Sequence, residues 1–489
     1  MTTNRLPPYR RPATHSGAVS TRGTSSGAFE SPGSEPWSVR SRMKLMLVIA
    51  LYVASLMWAY ATVVSPEYAY EGFVLIWPSA LQMAWLITLV LLPALFLPYS
   101  FSRPSALILW WLYLAVYIPA TIVPAITLSM PAEKLLPLQI SLLLCMGLLG
   151  WTGSGPRLLA IKEAVVSPTM FWPTFLFIWG ACIAYVVISG RVSSLVSNVA
   201  SLFAGADEYT IRGKYRDVLM EAGNGLGYVV GQLSQAFNPF LIAFGLTYRR
   251  RMCLIAGIVG QIIVFSLTGF KAALMSVFLL LFVATVKHWR SKFGLAVTSG
   301  LIAIVLAATV LYHATGSLYG TTVTTRRALL TPGLVTGFYF EHYSQIPPVG
   351  LGIHFFRDER VLTPPNEIGF AYFGDVDVNA NANLWAEGFA EAGLPGILLF
   401  TIITAFSIWI YDSIAAGRDP AMALLLLAMP AATLSNTQPT TVLVTHGGLA
   451  AALLLYLSPC PRRGEATEPE VPHGPNELLS TADTLASTR

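Results

Sequence analysis

The stretch GLAVTSGLIAIVLAATVLYHA, Gly294 to Ala314, runs 21 residues without an Asp, Glu, Lys or Arg. A helix of that length spans about 30 Å, the thickness of a bilayer's hydrocarbon core. Apolar runs of this kind recur along the chain. Of 489 residues, 54% are hydrophobic and only 11% charged, and the mean hydropathy is +0.61. A soluble domain carries about 25% charged residues, so a water-facing surface of this size is excluded and most of the chain belongs in lipid. The net charge of +5 says little about nucleic acid, because where charges lie matters more than their sum, and no nucleic-acid partner is expected. Cys145, Cys182 and Cys253 fall within or at the ends of apolar runs and Cys460 in a polar tail, so there is no disulfide framework.

The expected fold is therefore an all-α polytopic membrane protein with about twelve transmembrane helices. Candidate spans run roughly over 44–64, 76–98, 105–126, 135–152, 171–190, 223–247, 252–269, 271–287, 294–314, 391–411, 420–436 and 440–458. Together they make a transmembrane domain over 44–458. Residues 1–43, rich in Ser, Gly, Pro and Arg, and residues 459–489, polar and acidic, read as disordered tails, and no cleavable signal precedes the first span.

Lys and Arg set the sides. With the N-terminus in the cytoplasm, the inner flanks collect Arg40, Arg42, Lys44, Arg103, Arg249, Arg250, Arg251, Lys287, Arg290 and Arg418 among others, and the four short outer loops hold only Lys134 and Lys271. Both termini are then cytoplasmic. Two outer segments are longer, about 191–222 and 315–390. The first opens with Val192, Leu195, Val196, Val199, Leu202 and Phe203, the stripe of a helix lying in the interface. The second is too long for a mere connection. Both carry positive charge against the insertion trend, which points to an anionic ligand outside.

The candidate residues lie mostly in these segments. Arg212, Lys214 and Arg216 form one basic cluster and Arg326–Arg327 another. Guanidinium groups grip phosphate oxygens in pairs and keep their charge; contact with anionic lipid headgroups is the plainer use. Lys271, after the turn residue Gly269, either snorkels or faces an internal cavity. For acid–base work the outer loops offer Glu341, His342, His354, Asp358, Glu359, Glu367, Glu387 and Glu391, of which Glu341, His342 and His354 sit against apolar neighbours that favour proton exchange. A lone surface His or Glu is more often structural.

The run Asp375-Val-Asp377-Val-Asn379-Ala-Asn381-Ala-Asn383 invites a metal reading. A calcium loop fails because Ala380 stands where Gly is needed and Ala386 where a bidentate acid is needed. A nucleotide-sugar Asp-x-Asp site belongs in the cytoplasm. No metal is expected. Instead Asn383 or a neighbour caps a helix carrying Glu387 and Glu391 on one face, lining a cavity or facing water. His446, inside the last span below an outer segment at 435–439, is either a packed histidine or a cavity group. Nothing resembles a phosphate loop, a Ser-His-Asp arrangement or a zinc signature.

The architecture over 44–458, the hairpin at Thr268-Gly269-Phe-Lys271, the Arg212–Arg216 cluster and the segment from Asn381 through Glu387 and Glu391 to Gly393 and Gly396 resemble the bacterial oligosaccharide repeat-unit polymerases of the O-antigen polymerase type, within the larger group that contains O-antigen ligases. The resemblance implies a glycosyltransferase of the bacterial cytoplasmic membrane, working at the outer face without a cofactor on polyprenyl-pyrophosphate-linked oligosaccharides, with a chain-length regulator or a flippase as its kind of partner. Arg212, Arg216, Lys271, Arg326 and Arg327 would then hold the pyrophosphate. Glu341, His342 or His354 would activate the acceptor hydroxyl, and Asn383, Glu387 and His446 would face the glycan or the cavity. Lys271 departs from the more usual Arg, and no base aligns. A ligase acting on the same lipid-linked glycan is one rival and a transporter or flippase the other, although the halves show no repeat.

The charge pattern has a direct check. Cysteines placed at 249–251 should react with a membrane-impermeant thiol reagent only after the cells are opened; labelling in intact cells would invert the assignment of sides.

Overall fold

Apolar stretches without interior charge leave their backbone N–H and C=O groups one solution away from water, which is to bond along the chain. The computed structural model describes residues 38–128, 130–155, 161, 166–189, 224–351 and 362–459, and these form helices and turns with no strand among them. In chain order the first nine helices are α1 (Val39–Glu71), α2 (Ala80–Leu95), α3 (Ala106–Thr127), α4 (Ala132–Ser154), α5 (Pro168–Ser189), α6 (Gly225–Tyr248), α7 (Arg251–Thr268), α8 (Lys271–Val286) and α9 (Arg290–Thr315). A π-helical stretch, Thr321–Leu330, then leads into α10 (Thr331–Tyr343). After it come α11 (Pro364–Phe373), α12 (Leu384–Ile414), α13 (Pro420–Thr433), α14 (Pro439–Val444) and α15 (Gly448–Leu457).

Eight of the described helices, α1, α3, α4, α5, α6, α7, α9 and α12, are long and apolar enough to cross a bilayer, while α2, α8, α13 and α15 are shorter. The chain is an all-α, multi-pass membrane protein.

α3 is the axis. It is buried along 94% of its apolar stretch, against 17% for α5, which is left to face lipid. Polar side chains tie α3 to its neighbours where the surroundings offer no water. Tyr113 and Tyr117 donate to the carbonyls of Val90 (2.6 Å) and Leu89 (2.9 Å) on α2. Tyr52 of α1 donates to Leu114 O (3.0 Å), and Gln139 of α4 donates to Thr121 O (3.3 Å). At the start of α3, Asp412 of α12 accepts from the backbone N–H and the hydroxyl of Ser105, at 3.0 and 2.6 Å.

α10 lies directly on α3. A Cβ at Gly333 would stand 2.4 Å from Pro119 O, and one at Gly337 2.9 Å from Leu128 and 3.2 Å from Pro124. Small residues four apart let two helices touch backbone to side chain, the usual device where no water drives association. The segment expected as an outer loop, 315–390, is thus largely helical, and its α10 is buried from Pro332 to Phe340. The physical reason is its composition, since Gly337-Phe-Tyr-Phe340 is as apolar as a span and no longer a surface. The other long segment, 191–222, and both tails lie outside the described residues except for Ser38–Met43 and Pro459.

The basic connections gather at one end. Arg42 donates to the carbonyls of Ala94 (2.7 Å) and Leu97 (2.8 Å), Phe101 N donates to Arg290 O (2.7 Å), and Arg418 donates to Ser458 O (2.9 Å). At the opposite end Tyr312 donates to Glu67 (2.5 Å) and Ile76 N donates to Ile126 O (2.7 Å). Gly269 closes α7 at φ +67°, the tight α7–α8 turn expected.

Two elements depart from simple crossings. Residues 435–439, expected at the outer end, sit part-way down: Trp111 Nε1 donates to Ser435 (2.8 Å), and Leu384 N donates to the adjoining Leu434 O (3.2 Å). At 1.5 Å per residue, the run from 420 to 434 covers only about 21 Å, short of a bilayer. α12 breaks at Ala392 (φ −150°, ψ 22°) and Gly393 (φ 66°, ψ −149°) and turns back, so that a Cβ at Gly396 would lie 1.9 Å from Gly388 O. Pro395 offers no N–H to Glu391 O; Gly350 N supplies it at 2.9 Å, and Val349 N serves Ala390 O at 2.9 Å.

The dihedrals of Gly393 lie in a region open essentially to glycine alone. Gly393→Ala should cost about 1–3 kcal/mol, read as a lowered midpoint of thermal unfolding in detergent. Gly316→Ala, where nothing lies within 4 Å, controls for the loss of a positive-φ glycine at a helix end. An unchanged midpoint at 393 would mean that the break is not a fixed feature.

Candidate functional site

Asn383 is where two helices are clasped. Its Oδ1 accepts from Trp385 N (3.0 Å) and Ala386 N (3.3 Å), capping α12, while its Nδ2 donates to Thr336 Oγ1 (2.6 Å) and Pro332 O (3.2 Å) on α10. The side chain is fully buried, with both ends of the amide engaged. Asn383 is thus the cap the spacing predicted, and its hydrogen bonds are spent on structure. Glu387 and Glu391 follow on one face and are also buried, at 7% and 2% exposure, so they do not face open water. Tyr339 donates to Ala380 O at 3.2 Å, with Glu387 3.4 Å away as a longer second acceptor.

One turn further along α10, the side chains that can exchange protons converge. His342 Nε2 lies 3.1 Å from Glu367 Oε1, and Tyr343 donates to the other oxygen at 2.9 Å. Glu367 stands in the first turn of α11, where the helix begins at Pro364 and Pro365 and favours a negative charge. Burial, reinforced by the carboxylate of Glu367, pushes the Tyr343 hydroxyl well above the ordinary phenol range, so it stays protonated and donates. Tyr372 is raised in the same way, by burial and then by its bond to Glu341, to which it donates at 2.8 Å. Glu341 is therefore held by a phenol, and His342 by a carboxylate. A neutral imidazole whose Nε2–H is turned to a carboxylate keeps its Nδ1 lone pair for a proton. That is the arrangement of an oriented general base.

Basic residues approach from the π-helical stretch. Arg326 is 6% exposed, forms an ion pair with Glu71 at the end of α1, and lies 4.2 Å from the Tyr68 ring centroid. Tyr68 and Thr322 share a hydrogen bond of 2.5 Å. Arg326 Nε and Thr325 Oγ1 are buried without a hydrogen-bond partner. The adjacent Arg327 is exposed. Gly72, next to Glu71, lies against Phe338, which stacks on Tyr372 at 4.1 Å. Glu71, Gly72, Phe338 and Tyr372 thus form a continuous link from Arg326 to Glu341. Lys271 sits 5.7 Å from the Tyr319 ring, just ahead of the same stretch.

The structure so brings together Glu341, His342, Arg326, Asn383 and Glu387 around α10. It places His446 apart, half-buried in the break between α14 and α15, with its backbone N–H donating to Thr441 O at 3.0 Å and its ring Nδ1 without a hydrogen-bond partner. Arg212, Arg216 and His354 lie outside the described residues. Asp375 and Asp377 form a local turn, Asp377 N donating to Asp375 Oδ1 at 2.8 Å, and among the described residues no three His, Cys, Asp or Glu side chains gather to hold a metal.

Glu71 and Tyr343 were not singled out in the sequence, and Glu367 was one acid among many. A Glu in the first turn after Pro-Pro was a readable cue for a helix start, but its partner lies 25 residues away. The Gly333-x-x-x-Gly337 spacing was the one local signal that α10 packs inside.

No family model, no curated protein and no solved structure matches the chain at a significant level; the site stands on its own geometry.

Removing the clasp should loosen α10 from α12. Asn383→Ala should cost about 2–4 kcal/mol, a lost cap plus the unmet Thr336 and α12 N–H groups. Asn383→Asp should restore the cap while setting a carboxylate oxygen against Pro332 O, and remain destabilised. Thermal unfolding in detergent reads both; equal stability of Asn383→Ala and wild type would remove the clasp from the account.

Proposed function

We infer that the protein is a membrane glycosyltransferase that polymerises polyprenyl-pyrophosphate-linked oligosaccharide repeat units at the outer face of the bacterial cytoplasmic membrane. The observation that carries this reading is His342 held by Glu367 at the end of the bundle where Arg326 and Arg327 also stand. In the reaction, an acceptor sugar hydroxyl attacks the anomeric carbon of the lipid-linked chain. The proton passes to His342 Nδ1, the C1–O bond to the pyrophosphate breaks, and polyprenyl pyrophosphate leaves with the electron pair. Arg327, exposed beside the buried Arg326, meets that anion directly. Arg326 reaches it when Glu71 gives way. The same reading counts Arg212, Arg216 and Lys271 with the pyrophosphate and His354 with the acid–base groups. It requires no cofactor from the residues described.

The grouping of Arg42, Arg290 and Arg418 at one end supports both termini on the cytoplasmic side. Of twelve expected crossings, the last two are best taken as a hairpin entering from that side and returning. The parity of the topology is unchanged.

A transporter of the same lipid-linked glycan is the second reading. It is favoured by the break in α12 beside the buried Glu387 and Glu391, since broken helices and interior carboxylates recur in carriers.

Deleting the gene separates these readings. Single repeat units remaining on lipid, with loss of the long polymer, is the expected outcome. Long polymer retained on its carrier would make the protein a ligase, and lipid-linked units trapped on the cytoplasmic face would make it the transporter. In the complemented strain, His342→Ala should lower polymer formation about 10²- to 10⁴-fold, the usual contribution of a general base, with protein levels unchanged. Full activity of His342→Ala would remove it from the chemistry.

A further inference from the structure

Asn381 and Asn436 are both exposed, yet Asn436 does not lie at an end of the bundle. Leu384 N donates to Leu434 O at 3.2 Å, which sets the two segments side by side. Their level is fixed by α3: Trp385 packs edge-on to Tyr117, with 6.5 Å between ring centroids, and Ser435 accepts from Trp111. Asn436, beside Ser435, thus lies part-way along a helix that spans the core, while Asn381 lies nearer the end bearing His342, the N–H of its neighbour Ala380 donating to Pro365 O (3.0 Å) at the start of α11. An amide left bare in hydrocarbon costs about 4–8 kcal/mol on the cyclohexane scale, so this exposure is exposure to water.

The route that water takes is marked by the chain itself. Phe373 to Asp377, Asn379 and Asn381 are all exposed, and the run passes from the C-terminus of α11 down beside α10, where Tyr339 donates to Ala380 O and Asn383 to Thr336. It carries Asp375 and Asp377, which lipid would not tolerate. The exposure of Asn436 to water therefore requires a wet cleft open to the end of the bundle bearing His342. Its floor has amides and hydroxyls without a charge: Asn436, Thr437, Gln438 and, through a 3.3 Å bond from Thr433, Gln235.

The chemistry of that floor selects its ligand. Carboxamides present donors and acceptors together, as do the hydroxyls of a sugar ring, which both donate and accept. An anion would be drawn instead to the guanidinium groups near Tyr68. We propose that this cleft is the glycan subsite, in which uncharged sugar rings of the lipid-linked chain lie against Asn381 and Asn436 while the pyrophosphate end stays with the arginines. The assignment rests on the glycosyltransferase reading for its substrate, and on the exposure of Asn436 part-way along α3 for its location. Asn383, the neighbouring amide, is excluded from it because both ends of its side chain are already bonded.

The test uses the full-length protein in intact cells with Cys145, Cys182, Cys253 and Cys460 replaced by Ser. Asn381→Cys and Asn436→Cys should both react with a charged, membrane-impermeant methanethiosulfonate reagent, whereas Phe406→Cys, exposed on the lipid side of α12, should not. Oligosaccharide released from the host's own surface polymer, added at millimolar concentration, should slow labelling at Asn436→Cys at least about threefold, the protection given by occupancy of two-thirds of the sites. Absence of labelling at Asn436→Cys would overturn the cleft. Labelling without protection would overturn its occupation by glycan. In membranes, Asn381→Ala and Asn436→Ala should each raise KM for the lipid-linked unit about 2- to 10-fold with kcat kept, one hydrogen bond apiece. Protection that persists while the gene deletion leaves the surface polymer intact would sink the polymerase reading and leave the cleft as a glycan site.

Discussion

Inside a bilayer every backbone N–H and C=O must find its partner within the protein, and this constraint organises the molecule around α3. That helix carries two prolines, Pro119 and Pro124, in its second half. Each removes a donor, and the helix survives because neighbours close on it from all sides. Tyrosines run between α1, α2 and α3, and Asp412 holds the first turn through Ser105. Burial and hydrogen bonding act together here: aromatic rings fill the space while their hydroxyls serve carbonyls that no water can reach.

Packing on α3 then fixes the site. Gly333 and Gly337 allow α10 to lie on Pro119 and Pro124, and α10 in turn offers Pro332 O and Thr336 to Asn383. From that clasp α12 rises to Glu391 and breaks, its freed carbonyls taken by Val349 and Gly350. One consequence is that His342, Tyr343, Glu367, Glu387 and Glu391 are carried by rigid elements that share a single neighbour. Another is that Glu341, Glu367 and Glu387 are met by phenols and an imidazole, with the guanidinium of Arg326 already paired to Glu71. Positive charge near this end is partly neutralised before any ligand arrives, so an anion binding at Arg326 competes with a carboxylate.

Much of the fold was legible. Apolar runs near bilayer length announced the helices, Gly269 announced the α7–α8 turn, and the Asn383 cap followed from its place before an apolar run with acids four apart. The basic flanks anticipated that Arg42, Arg290 and Arg418 would lie toward one end of the bundle. The site was legible only in its parts. His342 was singled out, yet its carboxylate partner stood in a field of eight similar acids, and Arg326 was marked as basic without any cue that Glu71 would face it. The segment 315–390 looked like a loop because its length exceeded a connection and its apolar content was broken by Arg326, Arg327 and Glu341. Arg326 and Glu341 are tolerated there because each is met by a residue from another helix, Glu71 and Tyr372, while Arg327 is exposed.

By itself, the sequence determined that this chain lives in a membrane and that its long apolar runs are helical, because hydrophobicity, caps and turn glycines act over a few neighbouring residues. Only the tertiary structure decided which helix is central, that α10 lies within the bundle, that α12 turns back at Gly393, and that His342 meets Glu367. Those outcomes depend on contacts between residues 25 to more than 300 apart, and a one-dimensional pattern carries no record of which distant surfaces fit.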